Sequence, residues 1–277
     1  MRKTVLLAGI LAASFSGMAW SADLQVRTAP MPAIMAYNWS GFYVGLNAGY
    51  TWSQNRTRYN YALDGAADAG DIAEFNAAGL VPLSFGGARG GFAGGAQLGY
   101  NYQFGSLLFG LEGDLQYLDS KRSASQVFKF ADGVDDLSIV TAARSRLDWL
   151  GTVRTRVGLT FDRALIYATG GLAIGRAKDG TSMSSIGISN GVAYTGLWNG
   201  GKTGTRVGWA LGGGVEYAIT QSLSLKAEYL YYDLGTTRYA IAGGSSDPAE
   251  GFLGGVAKAR LNGSLARVGL NWKFGAY

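Results

Sequence analysis

Eleven charged residues lie at alternate positions within otherwise apolar segments, and they are the part of this sequence most able to do chemistry. Acids and bases are mixed among them, and several stand two residues apart, as Glu112 and Asp114 do. Such a set can form a buried network of salt bridges, or it can line a charged pathway for ions. The members are Glu112, Asp114, Asp148, Arg154, Arg156, Arg206, Glu216, Lys226, Glu228, Arg267 and Lys273.

Two residue types that carry much of protein chemistry are missing. The 277-residue chain contains no histidine and no cysteine. A Ser–His–acid or Cys–His nucleophile is therefore impossible, and so is a metal site that uses histidine. Neighbouring acids such as Asp135 and Asp136 are more simply explained as solvated charges. We therefore expect no enzymatic activity, no catalytic residues, no metal site and no cofactor.

The charged residues belong to segments whose side chains alternate in polarity with a period of two. A β-strand turns successive side chains to opposite faces, so each segment has one apolar face and one polar face. In the first segment the apolar row consists of Phe42, Val44, Leu46, Ala48, Tyr50 and Trp52. The pattern predicts eight strands, at about 40–53, 91–104, 107–119, 146–160, 164–176, 204–218, 222–235 and 260–274. The fifth strand is apolar on both faces, so its orientation stays open.

Connections between the predicted strands alternate strictly between short and long. Strands two and three are joined at Gly105–Ser106, strands four and five at 161–163, and strands six and seven at 219–221. The other four connections are predicted to be long mobile loops, at about 54–90, 120–145, 177–203 and 236–259. Alternation of this kind is typical of up-and-down barrels of the outer-membrane type. The predicted fold is all-β, an eight-stranded antiparallel transmembrane β-barrel.

A soluble β-sandwich is the alternative architecture. Its strands are usually about five or six residues long, and its core would not tolerate charges of both signs in mid-strand. Aromatic residues also cluster near the strand ends, as they do at the two interfaces of a membrane barrel. We expect a periplasmic rim of Trp39, Phe42, Phe104, Phe109, Phe161, Tyr217 and Phe274, and an outer rim of Trp52, Phe92, Tyr117, Trp149 and Tyr231. These features favour the barrel.

The barrel interior decides between the two roles of the charged set. Eight strands enclose a space just wide enough to be filled by side chains. Unpaired charges in so narrow a space would be strongly destabilising. We therefore favour a salt-bridge network that fills the lumen over an ion pathway.

The N-terminal residues have the organisation of a secretory signal peptide. Arg2 and Lys3 precede the apolar segment 5–15, and small residues follow at 16–22. We predict a signal peptide at 1–21, a periplasmic segment at 22–38 and the barrel at 39–277. Beyond the signal no segment has 18 consecutive apolar residues, so a membrane-spanning helix is not expected. The net charge of +5 is too small to indicate a nucleic-acid partner.

Four sequence blocks resemble a known family of small outer-membrane barrels. These are Ala22-Asp23-Leu24, Trp39-Ser40-Gly41-Phe42-Tyr43-Val44-Gly45, Tyr167-Ala168-Thr169-Gly170-Gly171-Leu172-Ala173 and Arg267-Val268-Gly269-Leu270-Asn271-Trp272-Lys273-Phe274. The chain is similar to the 25/31-kilodalton surface-antigen group of alphaproteobacteria, within the opacity and OmpA-like barrel superfamily. The resemblance implies location in the cell outer membrane. It implies outer-membrane lipids, lipopolysaccharide and the barrel assembly machinery as partners, with haem or a host surface ligand as a further possibility.

The C-terminus departs from the family pattern. The resemblance implies a terminal aromatic residue as the assembly signal. In this chain Phe274 ends the alternating row, and Tyr277 follows out of phase with it. Either residue can serve as the signal.

Three functions are compatible with the sequence. The first is a non-enzymatic barrel that contributes to envelope structure and exposes its loops at the surface. The second is a narrow porin for small solutes. The third is a surface binder of haem or a host ligand, since tyrosine can ligate haem iron and Tyr59, Tyr61, Tyr194 and Tyr239 fall in or near the predicted outer loops. Because tyrosine is abundant throughout the chain, we favour the first function.

Overall fold

A computed structural model describes residues 37–62, 77, 82, 84–131, 136–189, 191–246 and 254–275. The predicted signal peptide, residues 22–36 and Tyr277 lie outside these described residues. The strands are β1 (Gly41–Ala62), β2 (Ser84–Phe104), β3 (Leu107–Ala131), β4 (Asp136–Phe161), β5 (Ala164–Ser189), β6 (Val192–Ala218), β7 (Leu223–Ser245) and β8 (Gly254–Lys273). None of the described residues forms a helix long and apolar enough to cross a membrane.

The eight strands form one closed ring. Each strand pairs antiparallel with its neighbours in chain order, and β1 also pairs with β8, for example through Gly49 and Arg267. No strand in the described part of the chain is therefore left with an open edge. The predicted eight-stranded antiparallel barrel is confirmed.

One end of the barrel is made of tight turns. The turn between β2 and β3 is Gly105–Ser106, and the turn between β4 and β5 is Asp162–Arg163. Gly105 has φ +61° and Asp162 has φ +51°, the left-handed conformation that glycine adopts freely and aspartate tolerates. All three predicted short connections are confirmed.

The strands continue far beyond their predicted ends. Most residues of the predicted loops 120–145, 177–203 and 236–259 extend the barrel wall, so the predicted extent of those loops is wrong. Both ends of the predicted loop 54–90 are strand as well, while residues 63–76, 78–81 and 83 lie outside the described residues. On β5 the inward row stays buried through Ala177, Thr181 and Met183, while the outward row changes from apolar Ile174 to charged Arg176. Beyond Ile174 the outward row of β5 carries Arg176, Lys178, Gly180, Ser182 and Ser184 before Ile186 and Ile188, so the alternation of hydropathy is interrupted although the strand continues.

The outward face of the lower part of the barrel is a continuous apolar belt. Phe42 and Leu46 on β1, Leu98 on β2 and Leu172 on β5 expose about two thirds of their surface. Aromatic side chains lie at both margins of the belt and contact one another, as in the pairs Phe42–Tyr100, Trp52–Tyr229 and Trp209–Tyr231. The predicted outward direction of the apolar rows is confirmed except at Leu147 on β4, which is buried in the interior. It also settles β5, whose Ile166, Leu172 and Ile174 face outward.

Side chains fill the interior in successive layers. At the short-turn end is an aromatic plug, which consists of Tyr37, Trp39, Leu108, Leu165, Tyr167 and Ala218. Charged residues follow at mid-height. An apolar layer lies beyond them and consists of Ala93, Leu118, Leu147, Leu150, Ala173, Ala177, Ala210, Leu230, Tyr232, Leu234, Leu261 and Leu265. An outer layer in the strand extensions consists of Tyr59, Ala143, Met183, Trp198, Tyr239, Ile241, Ala257 and Ala259.

Glycine allows the close approach of strands at the seam between β1 and β8. A Cβ atom at Gly49 would lie 2.1 Å from the Ala266 carbonyl oxygen and 2.7 Å from Arg267 Cα, both of them backbone atoms that cannot swing aside. By contrast, a Cβ at Gly113 on β3 would meet nothing closer than the Thr152 carbonyl oxygen at 3.8 Å.

Gly49→Ala is expected to destabilise the closed barrel by about 1–3 kcal/mol, because the added methyl group forces the two backbones apart. Gly113→Ala is the matched control and is expected to leave stability unchanged. Urea unfolding of the refolded protein, followed by its heat-modifiable migration on gels, measures both. Equal stability of the two variants would contradict the tight seam.

Candidate functional site

Eight of the eleven predicted charged residues meet in one ion network at mid-height in the barrel. They are Glu112 and Asp114 from β3, Arg154 and Arg156 from β4, Glu216 from β6, Lys226 and Glu228 from β7, and Arg267 from β8. The side chains in these ion pairs are between 0% and 3% exposed. The network therefore lies wholly inside the ring and joins strands that are not neighbours in the sheet.

Arg154 is the centre of the network. Its Nη2 donates to Glu112 Oε1 at 2.6 Å and to Asp114 Oδ2 at 2.7 Å, and its Nη1 donates to Glu228 Oε1 at 3.0 Å. Its Nε donates to Thr152 Oγ1 at 2.8 Å, so each of its three nitrogens has an acceptor. Glu112 lies directly opposite Arg154 across the β3–β4 pairing, and the sheet register therefore sets this contact.

Lys226 and Arg267 complete the pairing of the acids. Lys226 Nζ donates to both Glu112 carboxylate oxygens at 2.8 Å and lies 3.1 Å from Glu228 Oε2. Arg267 Nη2 donates to Glu228 Oε1 at 2.6 Å, and its Nη1 donates to Asp114 Oδ1 at 3.2 Å. Each cation therefore bridges two carboxylates.

Arg156 connects the network to the tyrosines below it. Its Nη2 donates to Glu216 Oε2 at 2.8 Å, and its Nη1 donates to the Tyr43 hydroxyl oxygen at 2.8 Å. Its guanidinium carbon lies 4.0 Å from the centre of the Tyr167 ring, a cation–π contact. Tyr43 in turn donates to Glu112 Oε2 at 2.7 Å, and Tyr167 donates to Glu228 Oε2 at 2.7 Å.

The charges of the network balance. Four carboxylates face four cations, and each carboxylate contacts at least one cation. A buried ion pair stabilises a protein only where the lost hydration is replaced by close, well-directed contacts. Among the charged atoms of the network only Arg156 Nε is buried without a hydrogen-bond partner, and the others meet that condition.

Two predicted members lie inside the barrel but apart from the network. Arg206 lies beyond the apolar layer and pairs with Asp179, which also accepts a hydrogen bond from Ser145 Oγ at 2.7 Å. Lys273 lies at the short-turn end, where its ammonium donates to the Asn38 carbonyl oxygen and sits 4.3 Å from the centre of the Tyr37 ring.

The prediction that Asp148 belongs to the lumen is wrong. Its carboxylate pairs with Arg146 and with Lys178, whose side chains are 44% and 48% exposed on the outer wall. The cause is a bulge, because the register of β4 with β5 shifts between Leu147 and Trp149. The extra residue reverses the alternation beyond that point, so Leu147 turns into the apolar layer and Asp148 turns out of it.

Trp39 was predicted at the periplasmic rim, and this is also wrong. Its side chain is 2% exposed inside the barrel mouth. The indole Nε1 donates to the Asp162 carbonyl oxygen at 3.2 Å, and the backbone N–H donates to Gln103 Oε1 at 2.8 Å. Tyr37 packs edge-on against it at 4.7 Å, and burial raises the pKa of the Tyr37 phenol to about 12. The residues before β1 therefore close the short-turn end.

Sequence reasoning missed the two tyrosines that support the network. Tyr43 occupies the inward row of β1, between positions filled by small and polar residues, and Tyr167 occupies the inward row of β5. A large aromatic residue in a row otherwise made of small or polar residues was the available signal. The ambiguous orientation of β5 concealed the second one.

The tyrosines considered as haem ligands are engaged with other groups. The hydroxyls of Tyr59 and Tyr239 both hydrogen-bond Thr181 Oγ1, at 3.0 and 2.9 Å, and Tyr61 donates to the Pro82 carbonyl oxygen at 3.1 Å. Burial raises the pKa of Tyr59, Tyr61 and Tyr239, which disfavours the phenolate that would bind iron. Tyr194 is buried as well. Among the described residues no group of three or more acidic, Cys or His side chains could hold a metal ion.

Phe274 lies on the outward row at the end of β8. Its side chain is 51% exposed, and its backbone N–H donates to the Phe42 carbonyl oxygen at 2.9 Å. It therefore continues the row of Leu270 and Trp272 to the margin of the apolar belt. Tyr277, the other predicted assembly residue, lies outside the described residues.

Comparison with known proteins shows which family has this architecture. Residues 8–274 match the outer membrane protein beta-barrel domain family. The chain is 34% identical to the 31 kDa outer-membrane immunogenic protein of Brucella melitensis, over 98% of this chain and 100% of that protein. It is 25% identical to the 25 kDa outer-membrane immunogenic protein of Brucella canis, over 98% of each. Among solved structures it is similar to OprG of Pseudomonas aeruginosa, with 11% identity and a TM-score of 0.39 over 85% of this chain and 96% of that one.

Glu112→Gln is expected to destabilise the barrel by about 3–5 kcal/mol, because it removes a charge that pairs with Arg154 and Lys226 and leaves buried cations uncompensated. Asp119→Asn is the matched control on the same strand. Its partner is Lys121 at 3.2 Å, and both side chains are more than half exposed, so the expected change is within about 0.5 kcal/mol. Urea unfolding in detergent micelles compares the two. A small effect of Glu112→Gln would show that the network contributes little.

Proposed function

The chain belongs to the outer membrane protein beta-barrel family, and from that premise we propose that it acts as a closed, non-enzymatic barrel that strengthens the outer membrane. The protein is located in the outer membrane, as its Brucella relatives are. Its strands extend past the apolar belt and present polar surface outside the membrane. The proposed role is therefore structural, together with display of this outer surface.

The observation that carries the proposal is the buried ion network. A porin needs a water-filled pathway whose charged groups contact the passing solute. Here the side chains of Arg154, Arg156 and Arg267 are 0% exposed, and each is already paired with a carboxylate of this chain. A solute could pass only after these pairs had separated in a narrow, poorly hydrated space, which would require a large free energy.

Two further barriers support a closed lumen. The aromatic plug fills the short-turn end, where Trp39 is fixed by two hydrogen bonds. The apolar layer lies on the other side of the network, and Leu118, Leu150 and Leu265 in it are at most 1% exposed. An ion would lose its hydration in passing that layer without gaining a polar partner. Three independent obstructions therefore lie along the axis.

Surface display is supported by the length of the wall beyond the belt. On β5 the segment from Arg176 to Ser189 continues as paired strand, and its outward row is polar or small from Arg176 to Ser184. The Brucella relatives are named immunogenic proteins, and this extended region is the part of the present chain that antibodies would reach. The absence of histidine and cysteine supports a non-enzymatic role.

Two partners follow from the proposal. Membrane lipids contact the apolar belt, and the barrel assembly machinery would act on the β8 end, where Phe274 is exposed next to the seam with β1. A role in haem or host-ligand binding has less support, because the phenols that could serve it are buried and hydrogen-bonded.

Planar-bilayer recording of the refolded protein is expected to show no conductance steps. Trp39→Ala is expected to stay silent too, because the ion network and the apolar layer still close the lumen. Folding is checked by heat-modifiable migration, and a known porin recorded in the same bilayers serves as the positive control. Stable, reproducible steps from the folded wild type would instead support the porin alternative, and Arg154→Gln would then be expected to change their size.

A further inference from the structure

A cluster of basic side chains covers one side of the outer wall. It spans β3, β4 and β5 and consists of Lys121, Arg144, Arg146, Arg176 and Lys178, all of them exposed. Each faces outward, because the neighbours Leu147, Ala177 and Asp179 on the same strands are buried. These five residues are called the basic patch below.

Three members of the basic patch stand side by side across the sheet. Lys121 is the pairing partner of Arg146, and Arg146 is the pairing partner of Lys178. Like charges directly opposite each other on neighbouring strands are destabilising. Arg144 and Arg176 lie on the same face and add to this repulsion. Negative charge nearby would relieve this repulsion.

Two carboxylates of the described residues supply some of the negative charge near the patch. Asp148 pairs with Arg146 and lies 3.3 Å from Lys178 Nζ, and Asp119 lies 3.2 Å from Lys121 Nζ. Among the described residues these two carboxylates lie within the group of five cations, whereas four carboxylates balance four cations in the ion network. The Asp148 side chain is 20% exposed and contacts both Arg146 and Lys178. About half of each of these two basic side chains stays exposed.

The height of the patch along the barrel indicates which anion lies beside it. Lys178 follows Arg176 and Ile174 on the outward row of β5, and Lys121 follows the outward Tyr117 on β3, so the patch begins where the apolar belt ends. The belt of an outer-membrane barrel ends at the level of the lipid headgroups. Phosphate groups lie at that level, and arginine forms strong charge-assisted hydrogen bonds with phosphate.

We propose that the basic patch binds the phosphate groups of the outer-leaflet glycolipid. Arg146 and Lys178 are the central contacts, Lys121, Arg144 and Arg176 surround them, and Asp148 competes with the phosphate for the central pair. The proposal rests on the outer-membrane location and not on whether the lumen is closed. It would anchor one side of the barrel to the lipid layer whose integrity the protein is proposed to support.

The test is titration of the refolded protein in detergent micelles with diphosphorylated lipid A, with bound lipid counted by native mass spectrometry. Arg146→Gln/Lys178→Gln is expected to weaken binding about thirtyfold, since each basic residue at an anionic lipid surface contributes about a fivefold gain in affinity. Lipid A stripped of its phosphates is expected to bind the wild type as weakly as the double variant binds the intact lipid. Heat-modifiable migration confirms that each variant has folded.

Two further variants keep the result specific. Arg58→Gln/Lys258→Gln removes the same charge from another directly paired couple, on β1 and β8, which lies further beyond the aromatic margin at Trp52. It is expected to change lipid A affinity by less than about threefold, and Asp148→Asn is expected to increase that affinity because it frees Arg146 and Lys178. Equal losses in the two double variants would show attraction by net charge alone. Such equal losses would overturn the proposal. So would wild-type affinity in the Arg146→Gln/Lys178→Gln variant, or weaker lipid A binding by Asp148→Asn.

Discussion

The structure depends on one constraint, which is that a backbone N–H or C=O group in hydrocarbon must find a partner within the protein. Pairing of β1 with β8 meets it by removing the open edge of the sheet. Closure then sends every second side chain of eight strands into one narrow space. The inward residues of one strand therefore depend on those of the other strands, because the side chains of distant strands share the same volume.

The ion network fills this shared volume with side chains that pair across the barrel. Arg154 contacts carboxylates from two different strands, and Lys226 from β7 reaches Glu112 on β3, across the barrel. Contacts of this kind fix the relative height of strands that are not hydrogen-bonded to each other. The same pairs are wholly buried, so the feature that stabilises the ring also fills its interior. Outside the ring the balance differs, since the five cations of the basic patch lie beside two carboxylates of the described residues.

Much of this could be predicted from the sequence, because a period of two in polarity is a local property of the chain. The ring, the short turns, the outward apolar rows and the identity of most inward charges all follow from it. The bulge at Leu147 was not predicted, because Leu147 and Trp149 on its two sides are both apolar and the apparent alternation continues across it. Asp148 was therefore assigned to the wrong face. The long strand extensions were missed because their outward rows are mixed, with Arg176, Lys178 and Ser182 preceding Ile186 on β5. The partner of each charge depends on barrel geometry, which no single strand specifies.

The central claim is that the lumen is closed by a buried ion network in which each carboxylate and each cation has a partner of opposite charge. Nuclear magnetic resonance of the refolded protein with isotope-labelled arginine measures it directly, through the exchange of guanidinium N–H protons with water. The account predicts two classes of signal. Arg154, Arg156 and Arg267 should exchange far more slowly than the exposed Arg144 and Arg176. Rapid exchange of all the arginines alike would show that water reaches the network, and would contradict the closed barrel.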